Sequence, residues 1–115
     1  MNTTLAVDTM GGDHGISVTV PAACSMVQEN PDLSITLVGA IDSIEKALGS
    51  NKSHPRLEIV GSTEVVEMDE SPVSALKNKK NSSLRISIDL VKAGKADACV
   101  SAGNTGALMA TARFV

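Results

Sequence analysis

The chain has 115 residues and a formal net charge of −3, and 43% of its residues are hydrophobic although only 1% are aromatic. This length suits one domain, and an aliphatic core favours alternating strands and helices over an aromatic-rich β-sandwich. The charge balance argues against a nucleic-acid partner. The apolar runs are too short for a membrane span and no secretory signal pattern is present, so a cytoplasmic protein is expected.

The first strand–helix unit begins at the N-terminus. The apolar run Leu5-Ala6-Val7 predicts a buried strand that ends in a glycine-containing loop. Apolar residues at helical spacing then predict a helix from Ile16 to Val27. Ser17 or Thr19 is the expected N-cap of this helix, and Pro21 is expected in its first turn, where a missing N–H costs nothing.

Two further strands are predicted in the middle of the chain. The first runs from Ser34 to Val38, and a short amphipathic helix from Ile41 to Leu48 follows it. Gly49 lies directly after that helix, where glycine commonly ends a helix. Asn51 to Pro55 forms a polar connection to the next strand, which runs from Leu57 to Val60.

The last part of the chain predicts helices around one more strand. Pro72 suits the first turn of a short helix, and Ser82 suits the N-cap of a stronger helix that stops at Gly94. Ala98-Cys99-Val100 predicts a short buried strand. A final helix from Ala107 reaches the last residue without a stop signal, so the chain is expected to be a fragment truncated within this helix.

This order of elements predicts an α/β fold with a mostly parallel sheet. Ligands of such sheets bind beyond the carboxyl ends of the strands, and two loops are expected at that edge. The first contains Gly11-Gly12-Asp13-His14, and the second runs from Ser101 to Gly106. These two loops are therefore the first places to look for chemistry.

The loop from Ser101 to Gly106 has the composition of an anion site. Its glycines allow close backbone approach, its polar side chains offer donors, and the N-terminus of the following helix favours negative charge. The alternative is a tight turn in which Thr105 only caps the helix. The spacing matches neither a dinucleotide fingerprint nor a P-loop, which favours a smaller anion such as phosphate.

The segment Lys80-Asn81-Ser82-Ser83 is a second candidate anion site, because it places a lysine and two hydroxyls at a helix N-terminus. The alternative is a solvated lysine next to an ordinary N-cap. Asp8 and Asp13 either accept hydrogen bonds from turn amides or position a catalytic group. His14 either moves a proton or has a structural role.

The cysteines and remaining histidine carry no evident chemistry. Cys24 and Cys99 lie in apolar surroundings and are predicted to be small core residues rather than nucleophiles. His54 precedes a proline in a polar loop and is predicted to lie at the surface. Two cysteines and two histidines are too few for a structural zinc site, so neither metal nor cofactor is expected.

Four segments together resemble the phosphate acyltransferase family of bacterial fatty acid and phospholipid synthesis. They are Asp8-Thr9-Met10-Gly11-Gly12-Asp13, Leu37-Val38-Gly39, Lys80-Asn81-Ser82-Ser83 and Ser101-Ala102-Gly103-Asn104-Thr105-Gly106-Ala107-Leu108-Met109. They occur in the family's order with compatible separations and span nearly the whole chain. The combination is much more specific than any single glycine loop.

The resemblance implies that residues 1–115 are the N-terminal part of one Rossmann-like, three-layer α/β domain, similar to isocitrate and isopropylmalate dehydrogenases. It implies transfer of a fatty acyl group from acyl carrier protein to inorganic phosphate, without a cofactor. It further implies a homodimer, and peripheral association at the inner face of the membrane with the downstream glycerol-3-phosphate acyltransferase. The isolated fragment is expected to be inactive.

The resemblance also implies roles for the matching residues. Those assigned to catalysis are Asp13, His14 and Lys80; those assigned to phosphate binding are Ser82, Ser83, Ser101, Gly103, Asn104, Thr105 and Gly106; those assigned to loop shape are Asp8, Gly11 and Gly12. Two rival interpretations stay open. One is a phosphate acetyltransferase-like enzyme that uses a coenzyme A thioester, and the other is a non-catalytic anion-binding module.

Overall fold

The structure, a computed structural model, describes residues 2–10, 15–63, 71 and 81–101. Within these residues the strands are β1 (Thr3–Asp8), β2 (Leu33–Gly39), β3 (Leu57–Gly61) and β4 (Ala98–Ser101). They form one sheet in the order β3-β2-β1-β4, and every pairing is parallel. The predicted α/β class and parallel sheet are confirmed.

Helices cover both faces of this sheet. They are α1 (Ile16–Glu29), α2 (Ile41–Leu48) and α3 (Ser83–Lys92), and a short 3-10 helix (Gly49–Ser53) follows α2. α1 and α2 lie side by side on one face, whereas α3 packs on β1, β2 and β4 from the other. The result is a Rossmann-like, three-layer arrangement, as expected when short apolar strands are buried on both faces.

The core is aliphatic, as the composition predicts. On the α1–α2 face, Val20, Val27, Leu37 and Ile44 are fully buried. Burial of each such side chain stabilises the fold by about 1.5–3 kcal/mol. The α3 face is smaller and more polar, because Asp8 and several serines are buried there together with Leu84 and Ile88. Most of the buried polar side chains therefore lie on the α3 side of the sheet.

The helix boundaries largely follow the local signals. Ser82 caps α3, since its Oγ accepts a hydrogen bond from the Arg85 N–H (3.1 Å). Gly49 and Gly94 follow α2 and α3 with positive φ of 56° and 77°, values that glycine adopts without strain. The predicted polar connection after α2 contains the 3-10 helix. The predicted helices at Pro72 and from Ala107 to Val115 lie outside the described residues.

The predicted N-cap of α1, Ser17 or Thr19, is wrong. The helix begins at Ile16, Gly15 is its N-cap with φ of 51°, and no side chain caps it. Pro21 consequently lies in the second turn rather than the first. The physical reason is tertiary: the Thr19 Oγ1 lies 3.0 Å from the Thr9 carbonyl oxygen and 3.1 Å from that of Gly15, so this hydroxyl ties the helix to the end of β1.

The predicted burial of the last strand is also wrong. β4 lies at the edge of the described sheet, and Val100 is 51% exposed. α1 covers β1 and β2 but leaves this strand open. Between α1 and β4 lies an apolar groove of about 280 Å³ whose lining includes Val7, Val18, Met26 and Val100.

Candidate active site

The carboxyl ends of the strands meet at one edge of the sheet. Asp8 at the end of β1 pairs in register with Ser101 at the end of β4, and Gly39 pairs with Gly61 at the ends of β2 and β3. The chain builds β1, β2 and β3 in one direction and then places β4 on the other side of β1. The strand order therefore reverses between Asp8 and Ser101, and ligands of open α/β sheets bind at such a reversal.

Asp8 is the centre of this edge. It is only 3% exposed, and within the described residues its carboxylate accepts hydrogen bonds from three donors. The Met10 N–H (3.1 Å) and Ser83 Oγ (2.5 Å) donate to Oδ1, and Ser101 Oγ (2.8 Å) donates to Oδ2. This one side chain thus brings together the loop after β1, the start of α3 and the exit of β4.

The two serines at the start of α3 are both 1% exposed. The Ser82 hydroxyl caps the helix, and the Ser83 hydroxyl donates its proton to Asp8. The Ser83 carbonyl in turn accepts a hydrogen bond from Ser87 Oγ (2.7 Å). Both hydroxyls are therefore engaged with protein groups, and direct phosphate binding by these two serines stays a prediction.

Thr9 and Gly39 form a close contact that the sequence analysis missed. Thr9 is fully buried, and its N–H (3.0 Å) and Oγ1 (2.8 Å) both donate to the Val38 carbonyl. A Cβ at Gly39 would lie 2.3 Å from Thr9 Oγ1, so only glycine leaves room for this contact. The sequence signal for this contact was a β-branched residue, Thr9, directly after one strand and a glycine, Gly39, at the end of the next strand.

The two thiols are shifted away from reactivity. Burial raises the pKa of the Cys24 thiol above its ordinary value, although a backbone hydrogen bond partly opposes this shift. Burial, and secondly the negative charge of Asp8, raise the pKa of the Cys99 thiol. A raised pKa lowers the thiolate fraction at neutral pH, so neither thiol is suited to nucleophilic catalysis.

Alkylation tests this low reactivity. At pH 8, Cys24 and Cys99 of the native complete protein are expected to react with iodoacetamide at least several-fold more slowly than a cysteine in an unstructured peptide, because fewer are thiolates. Peptide mapping by mass spectrometry gives each rate, and the protein unfolded in guanidinium is the control. A native rate equal to the unfolded rate would contradict the raised pKa values.

Most of the other predicted site residues lie outside the described residues. They are Gly11, Gly12, Asp13, His14, Lys80, Gly103, Asn104, Thr105 and Gly106. Of the predicted set, the structure describes Asp8, Ser82, Ser83 and Ser101, and it places Asp8 in contact with Ser83 and Ser101. Asp97 and Thr4 bind each other at the opposite edge of the sheet (2.8 Å), and they are not part of this cluster.

The apolar groove beside α1 is separate from this cluster. Val7 and Val100 line the groove, whereas the adjacent residues Asp8 and Ser101 point to the other face because side chains alternate along a strand. In the described part of the chain, no group of three or more His, Cys, Asp or Glu side chains could hold a metal ion. No helix within the described ranges has the length and apolarity needed to cross a membrane.

Comparisons with known proteins agree with the sequence motifs. Residues 3–115 match a family described as fatty acid synthesis protein. A phosphate acyltransferase of Herminiimonas arsenicoxydans is 55% identical over 117 residues, which cover 100% of this chain and 33% of that protein. A phosphate acyltransferase of Neisseria meningitidis serogroup C is 57% identical over 113 residues, which cover 97% of this chain and 32% of that protein. The chain thus spans about a third of the length of these curated relatives.

Proposed function

This chain belongs to the fatty acid synthesis protein family, in which its curated relatives are phosphate acyltransferases, and we propose on that basis that the protein containing it transfers an acyl group to phosphate. The observation that supports this proposal is the Asp8 cluster at the reversal of strand order. There one buried carboxylate joins the start of α3 to the exit of β4, the two segments whose composition suits an anion.

The finer proposal concerns the acyl donor. We propose that a fatty acyl group moves from the thioester of acyl carrier protein to inorganic phosphate, which yields acyl phosphate and the free carrier thiol for phospholipid synthesis. A phosphate oxygen forms the new bond to the carbonyl carbon, the carbon–sulfur bond breaks, and the proton of hydrogen phosphate ends on the thiolate. A homodimer and peripheral association at the membrane belong to the same proposal.

The chemistry makes modest demands on the protein. A thiolate is a good leaving group, so the main tasks are to orient phosphate and to stabilise the developing oxyanion. In this proposal Asn104 and Thr105, with the backbone amides near Gly103 and Gly106, hold phosphate, while the Ser101 hydroxyl donates to Asp8 at the start of this loop. Lys80 supplies positive charge, and Asp13 or His14 handles the proton. Cys24 and Cys99 take no part, since their raised pKa values disfavour the thiolate.

Acyl transfer by the complete protein is the first test. Long-chain acyl carrier protein and inorganic phosphate are mixed with the enzyme, and acyl phosphate is trapped with hydroxylamine. Hydroxamate that forms only when phosphate is present would support the proposal. No product from a folded protein with a sound donor would refute acyl transfer from the carrier protein. Product from acyl coenzyme A alone would instead favour the acetyltransferase-like reaction.

Asn104 tests the loop after β4. Asn104→Ala is expected to lower kcat/KM for phosphate by about 10- to 100-fold, which corresponds to one lost hydrogen bond to a charged group. Asn30→Ala is the matched control, because the Asn30 amide donates to the Met26 carbonyl at the end of α1 (2.9 Å), away from the carboxyl edge. Unchanged kinetics in Asn104→Ala would remove this loop from the mechanism.

A further inference from the structure

Asp8 differs from an ordinary turn aspartate in the origin of its partners. Ser83 and Ser101 are separated from it by 75 and 93 residues, and each donates to a different carboxylate oxygen. Met10 supplies a third, local donor. An aspartate that only shaped its own turn would need the local amide and no more.

The polarity of these hydrogen bonds is fixed by chemistry. An ionised carboxylate only accepts, and a serine hydroxyl has one proton, so Ser83 and Ser101 must both direct that proton at Asp8. Hydrogen bonds to an ionised, buried acceptor are also stronger than neutral ones. The carboxylate therefore fixes the orientation of both hydroxyls and the separation between the chain segments that carry them.

We propose that Asp8 is a positioning residue for phosphate: through Ser83 and Ser101 it holds the start of α3 and the exit of β4 in the one arrangement in which both segments bind the same anion. This inference rests on the proposed function. It implies that Ser83 affects phosphate binding through its hydrogen bond to Asp8. Ser83 is 1% exposed, so it is better placed to hold Asp8 than to reach a ligand.

The kinetic signature separates positioning from general structural support. Asp8→Asn has nearly the same size but replaces one acceptor oxygen with an amide donor, so the serine hydroxyl that faces the amide loses its charged acceptor and must turn its proton elsewhere. In the complete protein, this variant is expected to raise the KM for inorganic phosphate at least about tenfold, the effect of one lost hydrogen bond to a charged group. The KM for the acyl donor is expected to change less than about twofold, because only the phosphate side of the site is disturbed.

Two matched controls are available. Asp97→Asn makes the same substitution where the carboxylate accepts from the Thr4 N–H at the opposite edge of the sheet, and it should leave the phosphate KM unchanged. Ser87→Ala removes another 1% exposed serine of α3, one that donates to the Ser83 carbonyl and not to Asp8. Ser83→Ala is expected to raise the phosphate KM about three- to tenfold, whereas Ser87→Ala should lower thermal stability without that effect.

Ser83→Ala keeps the proposal testable if Asp8→Asn does not fold, because Asp8 then retains its other two donors. Where both fold, Asp8→Asn/Ser83→Ala should be no worse than Asp8→Asn alone, since the two residues act through one contact. Equal effects on both KM values, or an unchanged phosphate KM in Ser83→Ala, would overturn the inference.

If the wild-type protein shows no turnover, the proposed function fails separately. Calorimetric titration with inorganic phosphate then tests Asp8: weaker binding in Ser83→Ala than in Ser87→Ala supports its role, and equal binding overturns it.

Discussion

Replacing Gly39 with alanine is expected to destabilise the folded protein by about 2–4 kcal/mol, because the new methyl group has no room. The Cβ would lie 2.3 Å from Thr9 Oγ1 and 3.0 Å from both Cγ and Sδ of Met10. Met10 is flexible and can move away. Thr9 can move only at the cost of a buried hydrogen bond, because it is fully buried and held to the Val38 carbonyl by its N–H and its hydroxyl.

The expected damage is therefore local to the carboxyl edge. Either the Thr9 hydroxyl leaves its acceptor, or the ends of β1 and β2 move apart. Both changes displace the chain beside Asp8. From the proposed function we therefore expect the activity of the molecules that remain folded to fall as well. The sheet away from this edge should remain intact, since the Gly39–Gly61 pair is the last in its register.

Urea unfolding of the complete protein, followed by circular dichroism, measures the stability change. Thr9→Ala/Gly39→Ala removes the atom that clashes, so its destabilisation should be smaller than the sum of the two single changes. Gly94→Ala is the control: no atom lies within 4 Å of its Cβ position, and φ is 77°. This control should cost only about 1 kcal/mol of backbone strain. A Gly39→Ala variant as stable as the wild type would show that the carboxyl edge adjusts freely.

The sequence was sufficient for features that depend on local patterns. Short aliphatic runs predicted the strands. The repeated strand–helix order predicted a parallel sheet, because parallel strands need a crossover connection and a helix between two strands provides it. Ser82, Gly49 and Gly94 predicted helix ends correctly since capping uses hydrogen bonds and dihedral angles within a few residues. Each of these features is determined by a residue and its close neighbours in the chain.

The errors arose where distant segments decide. Thr19 looks like an N-cap, but its hydroxyl binds the Thr9 carbonyl ten residues earlier, and the helix begins before it. Val100 looks like a core residue, but the order of the strands places it at the edge of the sheet formed by the described residues, where it is 51% exposed. Neither outcome is encoded in a short window of sequence, because both depend on which strands become neighbours.

The candidate site divides in the same way. Its location followed from the motifs, since glycine- and serine-rich segments directly after strands lie at the carboxyl edge of a parallel sheet. The role of Asp8 did not follow, because its partners Ser83 and Ser101 are 75 and 93 residues away. The sequence alone left two roles open for this aspartate, binding turn amides or positioning a catalytic group, and it named no partner for the second; the first role describes just the contact with Met10.

Arg56 is the stabilising residue that sequence patterns would least reveal. It lies in a polar turn before β3 and has no acidic residue at helical spacing. In the fold its guanidinium donates to three backbone carbonyls, those of Val27 (2.7 Å), Asn30 (2.7 Å) and Leu33 (2.8 Å). The first two belong to the end of α1, where carbonyls lack helical partners and the helix dipole favours a cation.

Arg56→Met is expected to destabilise the complete protein by about 3 kcal/mol, because the apolar stem is kept while all three charge-assisted hydrogen bonds are lost. Arg56→Lys should recover only part of this loss, since an ammonium group on a flexible stem cannot reproduce the planar fork. The end of α1 and the start of β2 should lose the most protection in hydrogen exchange, because Arg56 joins them.

Arg85→Met provides the matched comparison. Arg85 forms an ion pair with Asp89 one turn along α3 (3.3 Å), and the Asp89 side chain is 46% exposed. Pairs of this kind contribute only about 0.3–0.5 kcal/mol, because solvent screens them. Urea unfolding should therefore separate the two variants by more than about 2 kcal/mol. Equal losses of unfolding free energy would mean that water replaces Arg56 as the hydrogen-bond donor to the carbonyls at the end of α1 without a cost in stability. Apolar packing alone would then hold the junction between α1, β2 and β3.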